Sequence, residues 1–287
     1  MYNFINIIGY GYVGGAVGYL CKRNNVGFAT YDVIVKDEPA AVANFSNIRE
    51  LVNHSEAHNS HNVYFISVPT PPKEDTGECD TSIVETVLDE LYRRTRTLSS
   101  VIIKSTVKPG TTRSFHNKYG DRLNIVFCPE FLKERTFQED MYNADFCLLG
   151  SECSEELRGD IEQVMRDLYR HKKIDVIHKG YEECELFKYT INVFLSVKVW
   201  YFNEISEVCN KYGVKYNDLK DLFRLEPRIG ESHIDVPGPD GLYGFGGKCL
   251  PKETSALRKL QEDLGLPNKV LSEIIERNNY FRSRETQ

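Results

Sequence analysis

The stretch from Asn3 to Asp32 constrains this chain more than any other. Asn3 to Ile8 is a short, isoleucine-rich apolar run, the pattern of a parallel strand buried on both faces. It runs into Gly9-Tyr10-Gly11-Tyr12-Val13-Gly14, and Ala16 to Arg23 then reads as a helix. Phe28 to Val33 is a second strand holding Asp32 near its end. Strand, glycine turn, helix, strand and acid in this order leave few folds open. The pattern predicts the first βαβ unit of a doubly wound sheet.

Each part of that unit has a physical task in holding a dinucleotide. Gly9 makes the tight turn, Gly11 lets a pyrophosphate approach the backbone, and Gly14 lets helix and strand pack closely. Tyr12 and Val13 belong to the same glycine turn and are counted with it as cofactor-binding, and the N-terminus of the helix that follows offers phosphate its free N–H groups and dipole. Asp32 would accept hydrogen bonds from the adenosine ribose hydroxyls. The same carboxylate repels a 2′-phosphate, so the expected cofactor is NAD rather than NADP.

The alternation continues. Val63 to Val68, Val101 to Ser105, Asn124 to Cys128, Phe146 to Gly150 and Ile174 to His178 read as further strands. Asp80 to Arg94 and Glu155 to Tyr169 read as helices between them. In such a sheet ligands gather beyond the carboxyl ends of the strands. Val68, Thr70, Ser105, Thr106 and Glu130 all lie at such ends, and each is expected to face cofactor or substrate. The bland alternative for each is a turn or cap residue.

From Tyr181 the period changes. Leu186, Tyr189, Val193, Val197, Trp200, Ile205 and Val208 recur at helical spacing, predicting one long helix that ends near Gly213. Tyr216 to Phe223 and Lys252 to about Phe281 read as two more helices. The expectation is therefore an α/β chain. A Rossmann-like doubly wound parallel sheet spans 1–180, and an all-α central, dimerisation domain spans 181–287. The aromatic helix suits a homodimer contact as well as it suits a core.

A net charge of −6 argues against a nucleic-acid partner. No apolar run is long enough to cross a bilayer, so no membrane is expected. The N-terminus lacks a basic leader, and the eight cysteines show no CxxC pairing. That disfavours zinc and a disulfide framework, and points to a reducing, cytoplasmic setting with no metal.

The second organising stretch is Gly244-Phe245-Gly246-Gly247-Lys248-Cys249-Leu250-Pro251-Lys252-Glu253. Glycines bring backbone close to a ligand, and nearby cations favour the thiolate, the nucleophilic form of cysteine. On the long helix Lys188 and Asn192 are four apart and share a face, where a cation and an amide donor could meet an oxyanion.

Taken together, Gly9-x-Gly11-Tyr12-Val13-Gly14, Lys104-Ser105-Thr106-Val107, Pro129-Glu130-Phe131-Leu132, Lys188-x-x-x-Asn192 and Gly244-Phe245-Gly246-Gly247-x-Cys249-x-x-Lys252 resemble the UDP-glucose 6-dehydrogenase family, within the UDP-glucose/GDP-mannose dehydrogenases. The resemblance covers nearly the whole chain. It implies two NAD-dependent oxidations that turn the sugar's C6 alcohol into a carboxylate. Cys249 would be the nucleophile, passing through a thiohemiacetal and a thioester. Lys188 and Asn192 would stabilise oxyanions, while Glu130 and Thr106 would position water and relay protons. Phe131, Leu132, Phe245, Gly246 and Gly247 join the implied substrate site, and Lys252 the implied cofactor site. Arg228 resembles an arginine that reaches into the neighbouring subunit's sugar site.

The chain departs from the family pattern in two places. Glu253 stands where the family usually has Asp beside the cysteine, in a role of deprotonating the alcohol or holding a water. The sequence also ends at Gln287, where family members continue into a second Rossmann-like domain that binds the UDP. The resemblance thus implies the first two domains without the third. Two other readings stay open: an NAD-binding homologue serving as a binding or regulatory subunit, and a related two-domain hydroxyacid dehydrogenase. The cysteine loop speaks against the last, since a single two-electron oxidation needs no thiol.

Overall fold

The computed structural model describes residues 2–34, 37–73, 76–97 and 99–284. The chain forms two compact units, Met1–Pro71 with Asp80–Lys188, and Pro72–Cys79 with Tyr189–Gln287. The expected division after residue 180 lies at the start of a helix. The units part eight residues further on, inside that helix, and the second unit also takes in the segment 72–79.

The first unit is built on a sheet of eight strands. They are β1 (Ile5–Ile8), β2 (Phe28–Tyr31), β3 (Ala43–Phe45), β4 (Val63–Ile66), β5 (Ser99–Ile103), β6 (Leu123–Phe127), β7 (Phe146–Gly150) and β8 (Asp175–Lys179). Their order across the sheet is β3-β2-β1-β4-β5-β6-β7-β8. Among the described residues six helices belong wholly to this unit: α1 (Tyr12–Arg23), α2 (Ile48–His58), α3 (Ser82–Arg94), α4 (Thr111–Tyr119), α5 (Phe137–Tyr142) and α6 (Glu155–Leu168). Neighbouring strands run parallel except β6 and β7, which pair antiparallel at Phe127 and Gly150. The expected all-parallel sheet is therefore mostly parallel. The stretch between those strands holds only the six-residue α5. It returns the chain to the same end of the sheet, as an antiparallel neighbour requires.

The sheet is covered on both faces, which is why its strands read as continuous apolar runs. Ile5, Ile7, Phe65, Ile102 and Val126 pack with Val17 and Leu20 of α1 and with Ile161, Val164 and Met165 of α6. Ile8, Tyr64, Ile66, Val101, Ile103 and Phe127 meet Leu51 and Val52 of α2, Val84 and Leu88 of α3, and Phe115 of α4.

A 32-residue helix, α7 (Tyr181–Tyr212), leads out of the sheet and into the second unit. Its first turns are fixed by Glu185, which is fully buried. The Glu185 carboxylate accepts the N–H groups of Gly110 at 2.6 Å and Thr112 at 2.8 Å, so it caps the N-terminus of α4.

The second unit continues with α8 (Tyr216–Arg224), α9 (Leu250–Asp263) and α10 (Lys269–Arg282). The single helix expected from Lys252 to Phe281 is therefore two. Gly265, at φ +67°, ends α9 in a left-handed turn, and Pro267 cannot continue a helix. Its core lies in three clusters: Phe202, Cys209, Tyr216, Ile234 and Val236; then Val193, Phe245, Leu271 and Ile274; and last Cys79, Tyr189 and Ala256. The face of α7 that is buried is more polar than its apolar spacing suggests. Leu186 and Val208 are exposed, whereas Asn192, Ser196, Asn203 and Ser206 are buried. Among the described residues no helix is long and apolar enough to cross a membrane.

Candidate active site

In the first unit, the glycine turn follows β1 at the carboxyl end of the sheet. Gly9 has φ +85°, and a Cβ there would lie 2.7 Å from the Ser67 carbonyl oxygen. A Cβ on Gly14 would stand 1.9 Å from the Gly9 oxygen, inside any van der Waals contact. Gly11 differs, because its missing Cβ would meet nothing within 4 Å. Two glycines are thus required by packing, and the third leaves open space above the first turn of α1. Gly11 caps α1 without a side-chain acceptor. The turn therefore fits a pyrophosphate on geometry alone. Tyr12 stands exposed beside it, edge-on to Phe137 with ring centres 5.4 Å apart.

Asp32 closes the turn from β2. Its Oδ2 accepts the Tyr10 N–H at 2.8 Å and its Oδ1 the Ile34 N–H at 3.2 Å. The carboxylate is held against the glycine loop with lone pairs remaining, the arrangement a ribose diol needs. Further along the same sheet edge, Thr70, Ser105 and Thr106 are buried. The Ser105 hydroxyl donates to the Val68 carbonyl at 2.8 Å and so joins the loops that follow β4 and β5.

Glu130 and Lys188 form the centre of charge in this unit. Lys188 Nζ lies 3.0 Å from Glu130 Oε1 and donates to the Glu130 carbonyl at 2.5 Å. Glu130 Oε2 accepts the Leu132 N–H at 2.7 Å. Both side chains are nearly enclosed, with 4% and 9% of their surfaces exposed. Burial pushes the Glu130 carboxyl up, but the Lys188 charge, the Leu132 N–H and the charge of Lys104 outweigh it and hold the group below the usual carboxylate range. Glu130 is thus ionised at neutral pH. Lys188 also sits 5.4 Å from the centre of the Phe131 ring.

The second unit holds another polar knot. Asn192 Nδ2 donates to Glu253 Oε2 at 2.8 Å, and Glu253 is fully buried. Ser196 Oγ donates to the Asn192 carbonyl at 3.0 Å, while Thr254 Oγ1 lies 2.9 Å from Ser196 Oγ and 2.7 Å from the Leu250 carbonyl oxygen. Cys249 is the N-cap residue of α9, and its carbonyl accepts the Glu253 N–H at 2.9 Å. Of the eight cysteines, six are buried and Cys153 is intermediate; Cys249 alone is exposed. Lys248 precedes it, and Lys252 follows within the first turn of α9.

The fold thus joins Glu130, Lys188, Phe131 and Leu132 in one unit and Asn192 with Glu253 in the other. Two further expected substrate residues have other surroundings. The Phe245 ring is buried with Val193, Leu271 and Ile274, so what it offers a ligand is backbone. Arg228 is exposed and grips Glu226 at 2.7 and 2.9 Å. Sequence reasoning quoted Lys104 within a motif and gave it no role, yet its ammonium is buried and donates to the Cys128 carbonyl at 3.0 Å. Sequence reasoning missed Ser196, Asn203 and Thr254. Three- to seven-residue spacing of Glu185, Lys188, Asn192, Ser196 and Asn203 along α7 was the available signal. A separate cleft of about 570 Å³, lined by residues such as Gly27, His61 and Asp160, opens at the opposite, amino-terminal edge of the strands. Its Asp167 is already taken by the Tyr2 hydroxyl at 2.6 Å, and it has no part in this chemistry.

Known proteins supply the context for these two groups of residues. Residues 40–173 match the NAD binding domain of the UDP-glucose/GDP-mannose dehydrogenase family, and residues 182–280 match that family's central domain. The UDP-glucose 6-dehydrogenase of Rickettsia typhi is 32% identical over 220 residues, which are 75% of this chain and 48% of the relative. That of Campylobacter jejuni is 29% identical over 304 residues, covering 99% of this chain and 74% of the relative. The chain thus spans about half the length of the first of these relatives. The solved UDP-glucose dehydrogenase of Pyrobaculum islandicum superposes with a TM-score of 0.79 at 26% identity, over 98% of this chain and 68% of that one. The chain belongs to the UDP-glucose/GDP-mannose dehydrogenase family, carrying its NAD-binding domain followed by its central domain.

Proposed function

We propose that the chain oxidises the C6 alcohol of a nucleotide sugar, of the UDP-glucose to UDP-glucuronate type, in two steps through Cys249. The observation that carries this reading is the exposure of Cys249 at the N-terminus of α9, where six of the other cysteines are buried and Cys153 is half-buried. Two NAD molecules, bound in turn, would each accept one of the two hydride ions that leave the substrate carbon.

The chain's own residues do the rest. After the first oxidation, the Cys249 thiolate adds to the aldehyde carbon and forms a C–S bond, giving a thiohemiacetal. Loss of the second hydride leaves a thioester. Water then breaks the C–S bond, releasing the carboxylate and restoring the thiol. One alcohol and one water thus yield one carboxylate, two hydrides and three protons.

Lys188 and Asn192 would stabilise the oxyanions. That each is already fixed, one by Glu130 and the other by Glu253, favours this part, because neither has to be ordered at the moment of reaction. Ionised Glu130, with Thr106, would hold the hydrolytic water. The full burial of Glu253 supports a role in orienting the Asn192 amide.

A homodimer completes the proposal. Phe194, Tyr201 and Val208 are exposed at seven-residue intervals along α7, and Tyr212 extends the same seam. An exposed Arg228 suits a residue that serves another copy's sugar site. Eight free thiols suit a cytoplasmic setting.

The test is NADH formation by the purified chain offered UDP-glucose and other nucleotide sugars, beside Cys249→Ala. Two NADH per sugar, with none in the variant, is the expected outcome. NAD binding without NADH from any sugar would refute the enzymatic reading in favour of a cofactor-holding subunit. Single oxidation that survives in Cys249→Ala would point to a hydroxyacid-type dehydrogenase.

A further inference from the structure

We infer that the outer edge of β8 pairs antiparallel with the same edge of a second copy of this chain, with Ile177 facing Ile177 across a two-fold axis. The surface belongs to the first unit alone, and the inference does not depend on the reaction proposed for Cys249.

The sheet ends in β3 on one side and β8 on the other. β3 has three half-buried residues, too short to offer much to a further strand. β8 has five, Asp175-Val176-Ile177-His178-Lys179. Its inner side is taken by the β7 segment. The Asp175 N–H donates to the Asp145 carbonyl at 3.1 Å, and the Lys179 carbonyl accepts the Ser151 N–H at 3.1 Å. Along a parallel pair the backbone groups turn toward one neighbour at every second residue. Asp175, Ile177 and Lys179 therefore bond toward β7, and the N–H and C=O of Val176 and His178 point outward. Among the described residues no strand lies beyond them.

The side chains divide by face. His178 Nε2 lies 2.8 Å from Glu162 Oε1 of α6, and Val176 packs against the cluster that holds Ile161 and Val164. Asp175, Ile177 and Lys179 are exposed on the other face, Ile177 by 40%. An acid and a base stand at equal distances from that isoleucine, so the strand is its own complement when reversed.

In an antiparallel pair centred on Ile177, Val176 stands opposite His178 of the other copy, and His178 opposite Val176. Those are the residues whose backbone groups point outward, so the pairing makes four N–H···O bonds. Asp175 then stands opposite Lys179 at both ends, in the non-hydrogen-bonded pairs whose side chains approach most closely. Sliding the register one way would set Lys179 against Lys173, and sliding it the other way would set Ile177 against Lys179. Charge on an exposed edge ordinarily keeps other strands away; here its order admits one partner in one register. Lys179 Nζ lies 3.9 Å from Glu183 Oε1, a loose contact between exposed chains that gives way to a directly opposed carboxylate. Five residues a side is well under a standard interface, so the contact is weak and is read by trapping rather than by sedimentation.

The experiment uses the full chain with Ile177→Cys, Asp175→Cys or Lys179→Cys, oxidised by diamide, which takes the two electrons and two protons as two thiols become a disulfide. Mass spectrometry of the linked peptides keeps these bonds apart from any formed by Cys249. Ile177→Cys is expected to cross-link to itself roughly tenfold faster than either other variant does, since its opposed Cα atoms stand about 4.5 Å apart, within disulfide reach. Residue 175 lies about 13 Å from its own copy in this register. Mixing Asp175→Cys with Lys179→Cys is expected to link the two. Within Ile177→Cys, Asp175→Lys and Lys179→Asp should each slow cross-linking about fivefold or more, relative to iodoacetamide labelling of the same thiol, and both together should restore it. The first reversal makes the chain less negative and the second more, so a general charge effect would move them in opposite directions.

Equal self-linking at 175, 177 and 179 would overturn the inference and leave Asp175 and Lys179 as charges that keep the edge solitary. So would a double reversal as slow as either single one.

Discussion

Removing the Lys188 ammonium, as in Lys188→Met, is the sharpest test of the charge arrangement in the first unit. The two charges lie 3.0 Å apart, and both side chains are almost wholly enclosed. At an effective dielectric near 20 their attraction is about 5 kcal/mol. Breaking a buried pair from one side typically costs about 3–5 kcal/mol, because the remaining charge stays enclosed. At roughly 2–4 °C per kcal/mol, Tm should fall by roughly 6–20 °C near neutral pH. The pH dependence fixes the cause. In the parent chain the Glu130 carboxyl lies below its ordinary range, so the stability it contributes is full above the unfolded value and lost as pH falls through the folded one. Without Lys188, burial dominates and raises the folded value. The penalty should then grow as pH rises from the unfolded value toward that raised one, and shrink in mild acid. Scanning calorimetry at pH 5 and pH 7.5 measures both. Lys188→Met with Glu130→Gln should restore most of the loss, since it leaves no uncompensated charge. A drop of under about 2 °C at pH 7.5, or a double variant no more stable than the single one, would refute the reasoning.

Other outcomes follow from single contacts. Gly14→Ala should destabilise the fold and abolish NAD binding, because its Cβ would stand 1.9 Å from the Gly9 oxygen. Gly11→Ala should leave Tm unchanged yet weaken NAD binding about tenfold or more by calorimetry, since its methyl would enter open space above α1. Glu185→Ala should cost about 1–2 kcal/mol by uncapping α4, read as a lowered Tm. Tyr201→Asp with Val208→Asp should yield monomers in sedimentation velocity without loss of helical signal, if α7 carries the dimer seam.

How much of this was legible in the sequence depends on whether the deciding forces are local. The glycine turn, the βα rhythm and both ends of α7 rest on glycine placement and apolar period, and they read directly. β3 has three half-buried residues and no alternation, so neither it nor the polar α2 behind it stood out. α4 is a run of threonine, serine, histidine and asparagine with little helical preference. It is held by Glu185, 75 residues from Gly110, and no local pattern carries that information. Gly265 and Pro267 did mark the break between α9 and α10, and a strong apolar period masked them. At the site, residue types were legible and pairings were not. Lys188 and Asn192 were visible as a helical pair, but that one would be fixed by Glu130 and the other by Glu253 depends on chain segments far away in sequence.

The membership of residues 72–79 in the second unit bears on how the protein is made. The segment pairs Pro72 with Cys79, and the Cys79 thiol meets the Tyr189 hydroxyl at 3.2 Å, a partner 110 residues downstream. At roughly 5–20 residues per second of synthesis, that partner is added about 5–20 s after Cys79. The ribosome therefore delivers a piece of the second unit while the first is still being assembled, and the piece must wait with its thiol unshielded. A gene cut at the boundary inside α7 would not separate two working modules. The downstream half would lack a segment that the upstream half carries away.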